Sequence, residues 1–511
     1  MFQTTYSALL TGLTGTLTEV ECFIGNGLPY FNIVGIPSTA AGAARERIRS
    51  ALKSIGCSLP PSRITVNVRT TDAIYGPAAS YTLLDLPITL SILGSQRLIP
   101  PASLQNSLFL GELSLGGSLK PISGALSLSS CACRTQLHRI CLPTANAAEA
   151  ALSGHPAVYG LSDLPQVIAM LRGQFHPIPA QPAQPEHVDV PTFFDAIRGQ
   201  DIGKRALMIA AAGMHNLLLI GPPGCGKTLL AKSLPSLLPP LSFEQRIRLT
   251  EIYSCSNLLP FGQSLLQSRP FRSPHHTIPV SSLIGGGSSP CPGEITLAHH
   301  GILYLDELPE FSRSALESLR QPLEDHSISL NRLRTSINYP ADFLLVASMN
   351  PCPCGHFPDT QQCHCSPTRI HQYFGKINSP LLDRIDLVLQ LPPVPIHDTK
   401  QPSAYLFEEV RHRVHAAHEV QLKRFSLADH YNSRMSIEQL QQFCALRPEL
   451  EEFMHKAYDH YHLTLRSYHK ILRVSRTLAD LDGCEEIRQE HLLEALQYRL
   501  SSQFNFSSDL F

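Results

Sequence analysis

Four stretches of this 511-residue chain hold residue types whose spacing can do chemistry. Gly221, Pro222, Pro223, Gly224, Cys225, Gly226, Lys227 and Thr228 fit the pattern G-x-x-x-x-G-K-[ST], between an apolar run (LLLI) and a helix-like one (TLLAKSL). Glycines there let successive backbone N–H groups curl round phosphate oxygens, and the helix N-terminus adds its positive dipole end. Lys227 would reach the β- and γ-phosphates and Thr228 a Mg2+ ion. The second stretch, GILYLDEL, reads as a buried strand ending in Asp306 and Glu307 at its C-terminal edge, where open α/β sheets bind ligands. Asp306 would hold Mg2+ through water, and Glu307 would polarise the attacking water. In the third, FLLVASMN, a strand delivers Asn350, a neutral amide able to orient that water between the γ-phosphate and Glu307. The fourth, SPLLDRIDL, offers Arg384 as a charge-neutralising finger into a neighbouring subunit, a device worth about 10³–10⁵ in rate. A salt-bridged surface arginine is the plainer alternative.

Cys352, Cys354, Cys363 and Cys365 form C-x-C-x₈-C-x-C just after Asn350. Four thiolates on one short loop can enclose a tetrahedral Zn2+, and an all-sulfur site is closed and structural. His356 and His364 could substitute as ligands; free thiols or two disulfides are the other readings. The pairs His275-His276 and His299-His300 have no third ligand at helpful spacing, so packing and hydrogen bonding are expected of them.

Positioning such groups takes a framework, and the composition allows one. At 43% hydrophobic and 16% charged, the chain can bury large cores, and its length suggests about three domains. Forty-one Lys+Arg against 42 Asp+Glu exclude a wholly basic nucleic-acid coat but not a local basic pore. The opening MFQTTYSALLTGLTG lacks a basic stretch ahead of an apolar run, so it does not read as a signal peptide. No uninterrupted apolar stretch reaches the ~18 residues of a membrane span. A soluble, cytoplasmic protein is the expectation. The Pro-rich stretch QFHPIPAQPAQPEHVDV is extended in bias and reads as a linker. We therefore expect domains at 1–172, 192–398 and 399–511, with the linker at 173–191. Strands are predicted at Leu17–Phe23, Phe31–Val34, Ile64–Val68, Leu217–Ile220, Gly301–Leu305 and Phe343–Ser348, and helices at Ala40–Ile55, Lys204–Gly213 and from Lys227 onward. Strand–helix alternation implies a parallel sheet covered on both faces, and the last segment reads as wholly helical.

GPPGCGKT, LDELPEF, SMNPCPCG and LLDRIDL, in that order, resemble an AAA+ ATPase of the magnesium-chelatase type. FRSPHHTIPVSSLIGGG, PGEITLAHHGILYLDELPEF and LRSYHKILRVSRTLADL narrow the resemblance to the bacterial YifB/ComM family. The resemblance implies an α/β chain with an AAA+ P-loop parallel-sheet core and an all-helical C-terminal lid. It further implies a homo-hexameric ring hydrolysing ATP between subunits and, for ComM, a branch-migration helicase. Such a helicase works on single-stranded and branched DNA during natural transformation, beside recombination proteins. Walker A then falls on Gly221–Thr228, Walker B on Asp306 and Glu307, sensor 1 on Asn350, the finger on Arg384 and sensor 2 on Arg466, with Arg473 the other lid candidate.

Lys227 and Asp306 stand about 79 positions apart, more than a minimal core needs. In this clade the excess, Ser273–Gly293, is an insert pointing into the ring's pore. A second insert, His326–Pro340, alternates as a hairpin would and carries Arg332 and Arg334 near its tip. Side chains two apart on a strand share a side, so the pair would offer DNA phosphates a cationic rim; a solvated edge hairpin is the alternative. YGPAASYTLLDLPITLSIL and GELSLGGSLKPISG resemble the protease domain of Lon, which uses a Ser–Lys dyad. Here Gly76-Pro77 is followed by Ala78, with Ser80 the nearest hydroxyl, and no Lys lies between Lys120 and Lys204. Dyad catalysis is therefore unavailable. Arg45, Arg47, Arg49 and Lys53 make a basic helix face that could meet DNA or solvent. A motor remodelling a protein partner, as in magnesium chelatase, is the competing functional reading.

Overall fold

The computed structural model describes residues 2–70, 78–186, 192–260, 262–287, 291–331, 336–359, 361–377, 379–394, 403–427 and 430–504. The chain is mixed α/β, with an N-terminal sheet domain, a parallel-sheet core and a helical C-terminal region.

The N-terminal sheet has seven strands in the order Tyr30–Val34, Arg63–Thr70, Thr14–Gly25, Phe2–Thr11, Ser107–Phe109, Arg139–Pro143 and Val158–Leu161. Strand Phe2–Thr11 was not expected; it forms a hairpin with Thr14–Gly25, with Phe2 opposite Phe23 and Thr11 opposite Thr14. Two of the polar residues that break the opening apolar run are buried and bonded, Thr5 donating to the Pro87 carbonyl (3.1 Å) and Ser7 to the Phe109 carbonyl (2.9 Å). Helix Ser38–Ser54 lays Ala40, Ala44, Ile48, Ala51 and Leu52 against this sheet, and every residue of helix Asp85–Ser95 is buried. The basic face expected on the first of these helices is partly spent inside the domain. Arg47 binds the buried Asp85 carboxylate through two hydrogen bonds (2.6 and 2.9 Å), and Arg45 donates to the Phe31 carbonyl at 3.2 Å. Burial pushes the Asp85 carboxyl up to about 6 even so. Residues 71–77, which include Gly76 and Pro77, lie outside the described residues.

The second sheet is parallel, in the order Phe271–Arg272, Ile302–Leu305, Leu344–Met349, Leu217–Ile220 and Leu387–Gln390. Strand Leu217–Ile220, fourth in that order, is apolar throughout because both faces are covered. Leu217 and Leu219 point into the core shared with helix Asp201–Gly213, and Leu218 and Ile220 into the core shared with Leu249 and Ile252. The second insert is the expected hairpin, Ser327–Asn331 against Ser336–Pro340. Its tip, with Arg332 and Arg334, lies outside the described residues. The first insert contains a short helix, Val280–Ile284, and a two-residue ladder that pairs Gly285-Gly286 with Cys291-Pro292.

C-terminal helices include Phe407–Phe425, Pro448–His460, Leu465–Leu481 and Gln489–Phe504. The first has Glu408 and Glu409 in its first turn and Lys423 and Arg424 in its last, matching the helix dipole at both ends. This region grips the core through Lys470 on Asp386 (2.8 Å), Arg499 on the Ile385 carbonyl (3.0 Å) and Arg205 on Glu494 (2.9 Å). Among the described residues no helix is long and apolar enough to cross a membrane.

The Pro-rich segment is less free than its composition suggests. As far as residue 186 it follows the N-terminal domain, with Ala180 N–H donating to the Val158 carbonyl (2.8 Å), and Glu186 N–H then reaches Gln267 (3.0 Å). Nearby, the buried Glu149 accepts from Leu126 N–H (3.0 Å) and from the Ser254 hydroxyl of helix Phe243–Cys255 (2.5 Å). Burial raises the carboxyl of Glu149 above the usual range. Glu149→Ala strands a buried N–H and should cost about 1–3 kcal/mol; the check is a lower urea midpoint for the N-terminal domain, and an unshifted midpoint would refute the role.

Candidate nucleotide site

Strand Leu217–Ile220 ends at Gly221, where a Cβ would stand 2.8 Å from Cys225 Sγ and 3.1 Å from the Leu391 carbonyl oxygen, so a side chain here would force its neighbours to shift. Gly226, at φ +94°, then starts helix Lys227–Leu237. Strand, loop and helix follow one another as the sequence predicts. The Lys227 ammonium is folded back over its own loop. It donates to the carbonyls of Gly221 (2.7 Å) and Pro222 (3.0 Å) and to Asn350 Oδ1 (3.1 Å). Burial lowers its pKa, a cost that an incoming phosphate would relieve.

Two further strands close the site. Thr228 Oγ1 donates to Asp306 Oδ2 at 3.5 Å, and Glu307 N–H donates to Asp306 Oδ1 at 3.1 Å. These oxygens are a hard donor set suited to Mg2+ with retained waters. Lys227, Thr228, Asp306 and Asn350 are thus brought together by contacts spanning as many as 123 positions of sequence. Glu307 adopts the left-handed conformation (φ 54°, ψ 49°) and its side chain is 55% exposed, which leaves the carboxylate open to water.

Three participants escaped the sequence reading. The Tyr304 hydroxyl bonds with Ser348 Oγ at 2.9 Å and donates to Thr228 Oγ1 at 3.4 Å, while Ser348 donates to Asp306. Burial pushes the Tyr304 phenol up to about 12, so it stays a donor. A polar residue inside each of two otherwise apolar strands was the available signal. The third is His276, expected to pack and hydrogen-bond without a named partner: its Nδ1 lies 3.5 Å from Glu307 Oε2. In the other pair His299 is buried and hydrogen-bonded as expected, its Nδ1 accepting from Asp342 N–H at 3.1 Å.

Arg384 and Arg466 meet on a different carboxylate. Arg384 is 8% exposed and pairs with Glu324, and Arg466 reaches the same Glu324 oxygen at 2.5 Å. Among the described residues, neither has a hydrogen bond or ion pair to the phosphate loop. Arg473 donates instead to the Met435 carbonyl at 2.5 Å.

Cys352, Cys354, Cys363 and Cys365 converge, with all four sulfurs within 4.8 Å of one another. The measured separations are 3.2 Å (Cys352–Cys354), 3.8 Å (Cys352–Cys363) and 3.6 Å (Cys354–Cys363). Zn–S bonds of about 2.3 Å in a tetrahedron place sulfurs about 3.8 Å apart, so the cluster fits that ion. Gly355 N–H (3.2 Å) and Phe357 N–H (3.4 Å) donate to Cys352 Sγ, as expected of donors that orient a metal-bound thiolate.

A phosphate loop after an interior strand of this parallel sheet, facing an Asp-Glu edge and an Asn, defines a P-loop protein of the magnesium-chelatase AAA+ class. Family models agree. "Magnesium chelatase, subunit ChlI" matches residues 193–399, its C-terminal counterpart 407–499, and "Subunit ChlI of Mg-chelatase" 20–146. The chain is 39% identical to YifB of Salmonella typhimurium over 496 residues, covering 96% of this chain and 95% of that protein. It is 38% identical to the competence protein ComM of Haemophilus influenzae over 506 residues, 97% and 96% of the two chains. A magnesium-chelatase 67 kDa subunit of Heliobacterium mobile matches at 29% over only 34% of this chain and 30% of its own. The chain belongs to the YifB/ComM family.

Lys227→Ala, which removes the ammonium the loop has folded around, should abolish binding of a fluorescent ATP analogue; retained affinity would count against the site. Glu307→Gln should keep that affinity and lose phosphate release, because the water loses its polarising carboxylate.

Proposed function

We propose that this chain is an ATP-driven DNA motor. In this reading it is a homo-hexameric translocase that moves branched joints between single-stranded and duplex DNA, promoting integration of transforming DNA by homologous recombination. The observation that carries the reading is similarity along 97% of the chain to a protein named for competence, together with the meeting of Lys227 with Asn350 and of Thr228 with Asp306. Thr228 and Asp306 would hold Mg2+, which supplies charge neutralisation when bound. Lys227 exchanges its loop carbonyls and Asn350 for phosphate oxygens. Asn350, so released, is free to orient water, and Glu307 accepts that water's proton as it attacks. Arg384 completes the site of the adjacent subunit, which requires it to leave Glu324; Arg466 senses nucleotide from the lid. The four thiols hold a structural Zn2+. Arg332 and Arg334 contact DNA phosphates without regard to sequence.

A motor acting on a protein partner is the second reading, and the chelatase subunit that shares the core is what favours it. The extent of the match favours the first, since the chelatase subunit covers 34% of the chain and ComM covers 97%.

DNA should stimulate ATP hydrolysis by the purified chain, and ATP should drive branch migration on a three-stranded junction with the parent but not with Glu307→Gln. Absence of both would remove the DNA motor. Arg332→Ala/Arg334→Ala should weaken DNA binding and flatten its salt dependence; an unchanged slope would refute the cationic rim. Arg384→Ala should bind nucleotide without turnover, and mixing it with Lys227→Ala should restore some hydrolysis through hybrid interfaces. No rescue would mean that Arg384 does not act across subunits.

A further inference from the structure

The four-thiol loop forms part of the wall of the nucleotide site. Its first leg grows out of Asn350, whose side chain accepts from Lys227. Its turn is Gly355, at φ +85°, where a Cβ would stand 2.6 Å from Pro223 Cδ and 2.9 Å from Pro223 Cγ. The loop backbone therefore lies directly on a proline of the phosphate loop. Its second leg, through Cys363 and Cys365, runs into helix Pro367–Phe374, which Ser366 caps. That helix carries Tyr373, whose hydroxyl faces the Asn350 backbone N–H. Lys376, just beyond it, pairs at 3.2 Å with Glu310, three residues past Glu307. Phosphate loop, Asn350 and the Glu307 turn are each tied to the same short segment.

What keeps that segment in shape is the question its composition raises. Between Asn350 and Ser366 the described residues form no helix or strand, and only Cys352 and Gly355 are buried. Turns and thiol hydrogen bonds are weak restraints against the entropy of ordering such a stretch. One metal ion bound to four thiolates would be a strong one. The link from metal to nucleotide is short. Gly355, whose N–H supports Cys352 Sγ, is also the residue against which Pro223 packs.

We propose that a Zn2+ ion held by Cys352, Cys354, Cys363 and Cys365 clamps the phosphate loop through the Gly355–Pro223 contact, so that nucleotide affinity depends on metal occupancy. The inference rests on Gly221–Thr228 being the nucleotide site. It makes the thiol cluster a control point for the motor, since loss of the metal lets Pro223 and Asn350 move away from their positions at the phosphates.

The test uses the full chain purified under reducing conditions. Zinc content is read with a metal-release dye, and affinity for a fluorescent ADP analogue is read by anisotropy. We expect one zinc per chain. Stripping with a chelator should weaken nucleotide binding about tenfold, within the usual range for coupled sites, and added zinc should restore it. Gly355→Ala keeps all four thiols but drives a methyl into Pro223, so it should retain zinc and still lose affinity to a similar degree. This variant tests the Gly355–Pro223 link separately from metal removal. A chain isolated without zinc, or one with equal affinity before and after stripping, would overturn the proposal. So would Gly355→Ala with full zinc and parental affinity. A zinc-filled parent that binds no nucleotide would instead overturn the reading of the phosphate loop itself.

Discussion

The placement of the interior strand Leu217–Ile220 is the constraint on which the site depends. It has a parallel neighbour on each side, and all four of its side chains are at most 2% exposed. Its backbone groups are committed to two ladders and its side chains to two cores, so the chain can change direction only beyond Ile220. There a side chain at Gly221 would force its neighbours Cys225 and Leu391 to shift. The phosphate loop therefore opens at the carboxyl edge of the sheet. The next two strands in the sheet order end in Asn350 and in Asp306-Glu307 along that same edge. Sheet order, more than distance along the chain, decides which residues meet.

Around that edge the polar groups form one connected set. Tyr304 and Ser348 link Thr228 to Asp306, and Asn350 links to Lys227. Where the members are buried, as Tyr304 and Ser348 are, such hydrogen bonds are stronger than in water, and an unpaired member is costly. The folded-back Lys227 belongs to this set, taking loop carbonyls and Asn350 as its partners. A second polar centre lies at Glu324, where Arg384 and Arg466 converge. The two aspartates that flank Arg384 are held from the C-terminal helices, Asp383 by Arg499 (3.4 Å) and Asp386 by Lys470. Those helices and the Arg384 segment are thus mechanically joined.

Local patterns made much of this legible. The glycines, Lys227 and Thr228 declare a phosphate loop because the backbone geometry it needs is encoded within eight residues. The expected strand Leu217–Ile220 and the helix starting at Lys227 are where pattern placed them. Alternation likewise announced the hairpin of the second insert. Less legible were features whose meaning depends on a distant partner. Arg47 reads as a solvated charge until Asp85, 38 residues away, is buried beside it. His276 reads as a packing or hydrogen-bonding residue with no stated partner until the fold brings Glu307 next to it. Strand Phe2–Thr11 was missed because its buried Thr5 and Ser7 find hydrogen-bond partners only at Pro87 and Phe109, far along the chain.

The sequence by itself determined the chemistry available: a loop able to wrap phosphates, two acids at a strand end, an amide, and four thiols spaced for one ion. These follow from backbone freedom and side-chain type, which are properties of neighbouring residues. Only the tertiary structure decided what each group faces. It set Lys227 on Asn350 across 123 positions, Arg466 on Glu324 across 142, and the turn of the thiol loop on Pro223. Such contacts arise from strand order and layer packing, and a residue's own surroundings in sequence do not contain them.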